Sequence, residues 1–317
     1  MIAFGPVPSR RLGRSLGINN IPAKVCSYSC VYCQLGKTIR ISMEREVFYD
    51  PERVFKNVKR KVEKAKVKGE RVDYLTFVPD GEPTLDINLG KEIELLKKME
   101  IPIAVLTNAS LLWRADVRRD LLKADLISVK VDAVDENLWR RIDRPHRSLN
   151  IDEILNGIID FSKEFKGKMI TETMLIDGLN YKGDLENIAD FLSELRPHKA
   201  YIAIPTRPPA EKWVKPAEER IVNRAFQVFS KKLGDEAVEY LIGYEGDAFA
   251  FTGNVEEDLL SITSVHPMRE EGVNELLRKA NANWGIVRKL LKEGKIIGLE
   301  YEGHKYYMRR ILSRTKA

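Results

Sequence analysis

The sequence has few cysteines and histidines: three Cys and four His among 317 residues. An odd number of cysteines does not form a disulfide framework, and the paired CxxC knuckles of structural zinc sites are absent. No stretch approaches the roughly eighteen apolar residues of a membrane span, and the first fifteen residues lack the apolar core of a secretory signal. These absences predict a protein of the reducing cytoplasm that does not enter a membrane.

All three cysteines lie in one eight-residue segment, CSYSCVYC, as Cys26, Cys30 and Cys33. Their close spacing is poor for bridging within one turn, and the four histidines lie far downstream. A zinc site completed by a distant histidine stays open but is not indicated. Three thiolates on one loop can hold an iron–sulfur cluster by three irons and leave one iron for another ligand. The segment therefore predicts a metal cluster at a reaction site.

Short runs rich in β-branched residues alternate with amphipathic segments over the first 245 residues. The predicted strands are 15–20, 73–79, 101–108, 125–132, 168–177 and 199–206. The predicted helices are 52–68, 90–99, 116–123, 136–141, 151–165, 184–195 and 217–233. Such alternation is typical of a parallel α/β architecture. Because no GxGxxG fingerprint opens the first unit, a partial (βα)6 TIM-like barrel over residues 1–245 fits better than a doubly wound sheet.

The pattern changes after residue 245. Three short helical segments precede IIGLEYEGHKYYMRRI, which predicts two strands joined at Glu302-Gly303-His304. Three helices and a hairpin predict a winged-helix-like α+β module over residues 246–317. Within it, residues 278–317 contain eleven lysines and arginines against three glutamates, a net charge of +8. This excess is either a binding surface for a polyanion such as RNA or an ordinary solvated surface.

Polar residues follow or interrupt several predicted strands. Thr107 and Asn108 close the third strand, and Ser128, Lys130 and Asp132 alternate along the fourth. With a period of two these three side chains share one face, since Val129 and Val131 point the other way. An inward face would make a polar cavity wall, whereas an outward face would meet solvent. We favour the cavity.

Other polar residues are weaker candidates. Arg10 and Arg11 precede the first predicted strand and could bind a phosphate or carboxylate of a substrate, or lie on the surface. Glu172 alternates with two threonines on the fifth strand, and the sequence does not decide its face. We expect His266 to mark a helix start rather than a ligand, and His304 to be exposed at the hairpin.

The spacing CxxxCxxC, with the aromatic Tyr32 directly before the third cysteine, resembles that of the radical S-adenosylmethionine (SAM) superfamily. The flanking segment, GPVPSRRLGRSLGINN, is similar to a branch of archaeal and bacterial Fe–S oxidoreductases distantly related to the wyosine-base synthases of tRNA. The resemblance covers residues 1–245 and, more loosely, the remaining chain. It implies a [4Fe–4S] cluster held by Cys26, Cys30 and Cys33, with SAM on the fourth iron.

In that superfamily a one-electron donor reduces the cluster, SAM is cleaved to methionine and a 5′-deoxyadenosyl radical, and the radical abstracts a hydrogen atom from the substrate. The resemblance implies that Tyr32 lies near the adenine. Family analogy also puts the SAM ribose and carboxylate near Ser128, Lys130 or Asp132. The closing residues of the third strand, Thr107 and Asn108, are candidates for the same site.

The segment Asp80, Gly81, Glu82, Pro83 follows the second predicted strand and resembles the Gly-Gly-Glu-Pro segment that meets the SAM amino group. Glycine permits close backbone approach, and an ammonium group needs acceptors. The departure is Asp80, which stands where the family usually has glycine and could add an acceptor. The alternative is an ordinary Asp-Gly turn that ends a strand.

No cysteine remains for an auxiliary cluster, which disfavours sulfur insertion and identity with the archaeal wyosine synthases. Four functions stay open. The basic tail favours an RNA-modifying radical SAM enzyme. A winged module could instead recruit a protein or peptide partner. A small-molecule enzyme would need the barrel alone, and a non-catalytic electron-transfer protein would not cleave SAM.

Overall fold

The computed structural model describes residues 2–243 and 246–310 of the chain. Its centre is an eight-stranded sheet. The strands of this sheet are β1 (Ala3–Ser9), β2 (Gly13–Ile18), β5 (Tyr74–Phe77), β6 (Ile103–Thr107), β7 (Leu126–Lys130), β8 (Lys168–Met174), β9 (Lys199–Ala203) and β10 (Val238–Leu241). They lie in the order β1-β2-β5-β6-β7-β8-β9-β10, with β1 antiparallel to β2 and every later pair parallel. A separate two-stranded pair, β3 (Val25–Cys26) and β4 (Arg40–Ile41), lies beside the cysteine segment.

Helices connect the parallel strands, as the right-handed crossover of parallel strands requires. They are α1 (Pro51–Val67), α2 (Leu89–Lys97), α3 (Ala115–Leu121), α4 (Glu136–Ile142), α5 (Ile151–Glu164), α6 (Asp184–Leu195) and α7 (Glu219–Leu233), with 3-10 turns at Pro83–Leu85 and Asp235–Ala237. Polar side chains fix the start of several helices. The Asn150 amide oxygen, for example, accepts a hydrogen bond from the Glu153 amide at 3.1 Å and so caps α5.

The mixed α/β fold with a parallel sheet confirms the coarse prediction, and all six predicted strands and seven predicted helices are present. The number of strands in the sheet was predicted wrongly. The sequence AFGPVPS of β1 contains two prolines, which disfavour a strand, but an edge strand tolerates them at the register shift between Phe4 and Val7. The seventh parallel strand, β10, is only four residues long and gives little signal.

The turn between β1 and β2 packs against one face of the sheet. Leu12 is buried there in a small apolar cluster with Ala104, Leu126, Ile170 and Tyr201, which come from strands β6 to β9. Burial of these side chains holds the β1–β2 turn against the inner face of the sheet. As a consequence, the neighbouring Arg11 lies half-buried at this face and Arg10 lies exposed beside it.

The remaining described chain forms the C-terminal module, residues 246–310. It contains α8 (Val255–Ile262), β11 (Met268–Arg269), α9 (Glu270–Lys279), α10 (Gly285–Lys292), β12 (Ile296–Tyr301) and β13 (His304–Arg309), with the strands in the order β11-β13-β12. The three helices and the hairpin were expected, and the winged-helix assignment stays a prediction. The hairpin loop is the two residues Glu302 and Gly303, both with positive φ, so that half-buried His304 pairs with Tyr301.

The C-terminal module shares its apolar core with the large sheet. Phe4 and Val7 of β1 pack in the same cluster as Phe249, Leu259 and Val273 of the module. The predicted boundary at residue 245 lies outside the described residues. None of the helices within the described ranges is long and apolar enough to cross a membrane.

Candidate active site

The cysteine segment is a loop held by its own backbone and by one lysine. The Cys33 amide donates to the Cys30 carbonyl at 3.1 Å, and the Ser42 amide donates to the Cys26 carbonyl at 3.0 Å. The buried Lys24 ammonium donates to the Gly36 carbonyl at 2.8 Å. This bond joins the chain before Cys26 to the chain after Cys33. These bonds hold the three cysteines in one ordered segment that begins at the end of β3.

The three thiols fit a cluster better than a single ion. All three are free, half-buried and exposed to the same cavity. Within residues 2–243 and 246–310, no three His, Cys, Asp or Glu side chains converge on a point that one ion could occupy. A cluster does not need such convergence, because each thiolate would bind a different iron.

The raised pKa values of the cysteine thiols also favour a cluster as their partner. Burial, reinforced by the nearby Glu82 carboxylate, raises the pKa of Cys26 to about 12. Burial and the Asp143 carboxylate also raise the pKa of Cys30 well above its usual value. Thiolates at these positions need a positive partner close by, which the irons of a cluster would supply.

The cysteines line one wall of a cavity of about 320 Å³. Further walls come from the segments that follow β5 and β6, from β7 and β8, and from the loop after β9. Side chains that line it include Lys24, Tyr32, Gln34, Asp80, Glu82, Thr107, Asn108, Ser128, Lys130, Glu172 and Arg207. Polar groups thus converge on a partly apolar space, which is the usual character of a ligand site.

Gly81 joins the loop after β5 to the cysteine segment. It forms a parallel β-bridge with Val25, the residue before Cys26. A Cβ atom at Gly81 would overlap the Val25 carbonyl oxygen and press on Ile21. The lack of a side chain is therefore needed for packing of the two loops, whatever ligand lies above them.

Glu82 organises the loop that follows. Its Oε1 accepts hydrogen bonds from the Thr84 amide at 3.1 Å, the Thr84 hydroxyl at 2.6 Å and the Thr107 hydroxyl at 2.6 Å. Its Oε2 accepts one from the Asn108 amide at 2.8 Å. Burial raises the pKa of Glu82, and these four donors oppose that shift. The carboxylate ties the ends of β5 and β6 together.

Asp80 is buried and less well satisfied. Its Oδ1 lies 3.8 Å from the Lys24 ammonium and accepts no hydrogen bond from the described residues. Burial raises the pKa of Asp80 to about 6, although Lys24 opposes the shift. Asp80 therefore lines the cavity directly before Gly81, while its unpaired Oδ1 is itself buried.

Asn108 links the strand end to the cysteine segment. Its side-chain amide donates to the Ser27 hydroxyl at 2.9 Å and contacts the Cys26 sulfur at 3.6 Å. Thr107, beside it, is buried and bonded to Glu82. The two residues hold the cysteine loop and the β5 loop in one arrangement.

A chain of charges crosses the inner face of the sheet. The Lys130 ammonium lies 3.0 Å from Glu172 Oε1, 3.3 Å from Asp132 Oδ1 and 4.8 Å from the centre of the Tyr32 ring. Glu172 also pairs with Arg11, and the Tyr32 hydroxyl donates to Asp132. The network runs from the β1–β2 turn to the residue before Cys33.

The pKa values in this network follow from its charges. Burial alone would raise the pKa of Glu172, but Lys130 and Arg11 outweigh it and lower the pKa to about 2. Burial would lower the pKa of Lys130, but Asp132 and Glu172 raise it. Glu172 is therefore a carboxylate and Lys130 a cation throughout the neutral range.

Sequence comparison decides the family. The sequence model of the radical SAM superfamily matches residues 20–192, more than half of the chain. The chain belongs to the radical SAM superfamily. It is a radical SAM enzyme, and its cofactors are a [4Fe–4S] cluster and S-adenosylmethionine.

Three proteins are similar to this radical SAM enzyme over two thirds of its chain or more. A UPF0026 protein of Methanocaldococcus jannaschii is 53% identical, with 99% of this chain and 98% of that protein aligned. Streptococcus suis SuiB bound to S-adenosylmethionine is 16% identical, with a TM-score of 0.52 over 71% of this chain and 49% of SuiB. TYW1 with a lysine-pyruvate adduct is 19% identical, with a TM-score of 0.51 over 69% of this chain and 73% of TYW1. The two solved structures share the fold.

Eight of the ten residues predicted for SAM binding line the radical SAM cavity. They are Tyr32, Asp80, Gly81, Glu82, Thr107, Asn108, Ser128 and Lys130. Pro83 is buried in the 3-10 turn behind the cavity. Asp132 is buried next to the wall, where it accepts hydrogen bonds from Tyr32 and, at 2.7 Å, from the Met174 amide. The inward face proposed for β7 is thus polar over Ser128 and Lys130.

Among the polar lining residues of this radical SAM enzyme, Lys24, Gln34 and Arg207 carried no sequence hypothesis. Arg207 directly follows the predicted strand 199–206, so the rule that functional residues lie after parallel strands could have found it. Lys24 and Gln34 flank the cysteines by two residues and one residue respectively. Their roles depend on long-range contacts that no local pattern shows. His266, expected to mark a helix start, is buried, and its Nε2 lies 2.9 Å from Arg207.

Proposed function

We propose that this enzyme cleaves SAM reductively in the described cavity and abstracts a hydrogen atom from a substrate held there. Cys26, Cys30 and Cys33 would hold the [4Fe–4S] cluster. When bound, the cluster supplies the electron that cleaves SAM, after reduction by a one-electron donor. The observation that carries the proposal is that the three thiols and the Asp80–Glu82 loop border the same cavity.

The surrounding residues divide into binding and positioning groups. We assign two acceptors to the SAM amino group: the Asp80 carboxylate, since this residue lines the cavity, and the backbone carbonyls beside Gly81. Glu82 has four donors already, so we assign it to holding the loop. The Lys130 ammonium lies over the Tyr32 ring, and both residues line the cavity. Their contact supports placing the adenine or the SAM carboxylate there.

The assignment of Lys130 is tested by SAM affinity. In the anaerobically reconstituted enzyme, Lys130→Met should raise the dissociation constant of SAM about tenfold, the loss expected for one charge-assisted hydrogen bond. Lys91→Met, at an exposed position of α2, is the matched control. Equal affinity in both variants would remove Lys130 from the binding site.

RNA is the substrate class that we propose, on the basis of the C-terminal charges. Arg288 and Lys292 are exposed one turn apart on α10, and Arg310 is exposed after the hairpin. Several other cations of the module are paired with carboxylates, as Lys289 is with Glu256 at 2.9 Å. Over residues 246–310 ten basic and ten acidic residues balance, so the basic surface is local. Arg314 and Lys316 lie outside the described residues.

A gel-shift titration with tRNA tests this substrate class. The double variant Arg288→Glu/Lys292→Glu should lose binding at low salt, because phosphate contacts dominate nucleic-acid affinity. Lys231→Glu on exposed α7 is the control. Truncation is a poor alternative, since the module shares its core with Phe4 and Val7. Absence of a shift in the wild type would exclude this class. If instead a protein partner binds along the edge strand β12, that result would favour a peptide-directed enzyme.

A further inference from the structure

One side of the cavity carries residues that the proposed function does not use. The β1–β2 turn contributes Arg10 and Arg11, the end of β8 contributes Met174, and the segments after β9 and β10 contribute Ile204 and Gly243. The β1–β2 turn precedes β2, whereas the Asp80–Glu82 loop follows β5, so the two lie at opposite ends of this parallel pair of strands. This side of the cavity combines apolar surface with two guanidinium groups.

The two arginines differ in how their charge is used. Arg11 pairs with Glu172, and its Nη1 lies 3.5 Å from the Ser128 hydroxyl. Its charge is therefore neutralised inside the protein. Arg10 makes no hydrogen bond or ion pair with any other residue in the part of the chain that the structure describes.

Arg10 also stands at a distinctive place in the fold. β1 and β10 are the two edges of the sheet and do not pair with each other. The Arg10 Nη1 comes within 3.6 Å of the position that a Cβ atom would take at Gly243, just after β10. An exposed guanidinium thus spans the open seam between the two edges, and Gly243 leaves space beside it.

We propose that Arg10 binds an anionic group of the substrate, a phosphate or a carboxylate, at the seam of the barrel. This inference rests on the proposed function, which places SAM against the Asp80–Glu82 loop. A guanidinium that borders the cavity without an ionic partner among the described residues is stabilised by a substrate anion. The planar guanidinium suits two-point binding of such oxyanions.

The test is calorimetric titration of the reconstituted full-length enzyme with SAM present and ionic strength held constant. The probes are inorganic phosphate and acetate, and the tighter one identifies the anion class. We expect saturable binding of at least one probe and an increase of about tenfold in its dissociation constant for Arg10→Gln. Arg119→Gln, exposed on α3, should bind as the wild type does.

The anion site would be overturned if neither probe bound saturably. It would also be overturned if Arg10→Gln and the wild type bound the probe with equal affinity. Formation of 5′-deoxyadenosine by the reduced wild type without added anion is measured in parallel. Cleavage of SAM without anion binding would overturn this inference alone and leave the proposed function standing. Arg10-dependent anion binding without SAM cleavage would support the anion site and count against the proposed function.

Discussion

At the scale of single residues, packing and ligand binding make overlapping demands on the loop after β5. Gly81 is needed where the loop meets Val25, and Glu82 is held by four donors from Thr84, Thr107 and Asn108. In the same loop, Asp80 keeps a carboxylate oxygen that accepts no hydrogen bond from the described residues. Residues that look equivalent in the sequence motif therefore differ in role, and each role can be tested separately.

Gly81→Ala should disrupt the cysteine loop. The added methyl group overlaps the Val25 carbonyl, and backbone must move to relieve it, at a cost of about 1–3 kcal/mol or more. We expect a lower melting temperature and less iron bound after reconstitution. Gly298→Ala is the matched control, because a Cβ atom there meets its nearest neighbour at 3.8 Å. Iron content equal to that of the control would contradict the packing role.

Asp80→Asn should change the pH dependence of stability. The pKa of Asp80 is about 6 in the folded chain and about 3.9 when unfolded, so ionisation opposes folding as pH rises between these values. The free energy of unfolding of the variant, relative to wild type, should therefore increase by about 2–3 kcal/mol between pH 4 and pH 7. Urea unfolding of the cluster-free proteins measures it, with exposed Asp160→Asn as control. A difference that stays constant with pH would contradict the account.

At the scale of elements, the sequence predicted the repeating units well because each has a strong periodic signal. The strands β5 to β9 are short apolar runs, and helices such as α5 bury one face, with Ile154, Ile158 and Phe161 inward. β1 was missed because prolines hide an edge strand, and β10 because four residues carry little pattern.

Site residues were predictable where a motif or a strand end marks them. Cys26, Asn108 and Lys130 meet this condition. Lys24 does not, since its place in the site comes from contact with a residue distant in sequence, Asp80. The face of Glu172 was undecided from sequence because threonines flank it on both sides, and only the pairing with Arg11 and Lys130 fixes it.

A buried ion pair fastens α1 to α8. The Lys61 ammonium lies 2.7 Å from Asp258 Oδ1 and 2.9 Å from the Thr252 hydroxyl. Lys61→Met would leave the Asp258 carboxylate buried without its cation, so we expect a loss of about 3–5 kcal/mol in the free energy of unfolding. Lys64→Met removes an exposed pair on the same helix and should change it little. Equal effects of the two substitutions in chemical denaturation would contradict this reading.

At the scale of the whole molecule, the sheet and the cysteine loop line the cavity, and the C-terminal module packs against part of that lining. The Gln34 side-chain amide donates to the Val265 carbonyl at 3.1 Å, and the Tyr306 hydroxyl donates to the Thr206 carbonyl at 2.8 Å. The module thus contacts the residue after Cys33 and the loop after β9. It supports the walls of the site as well as any surface for a partner.

This arrangement predicts one cooperative unfolding transition. Phe4 and Val7 of the sheet belong to the apolar cluster of the module, so the core of the module is incomplete without β1. Differential scanning calorimetry of the intact chain should give a single peak whose van't Hoff and calorimetric enthalpies agree. Two resolved peaks would mean that the regions fold independently.

The most direct test of the central claim is the formation of 5′-deoxyadenosine from SAM by the anaerobically reconstituted, reduced enzyme. Cys30→Ala removes one of the three thiols that border the cavity. We predict that the wild type binds one four-iron cluster and forms 5′-deoxyadenosine, and that Cys30→Ala loses both the cluster absorbance and the product. Continued formation of 5′-deoxyadenosine by Cys30→Ala would contradict the assignment of the three cysteines to the cluster.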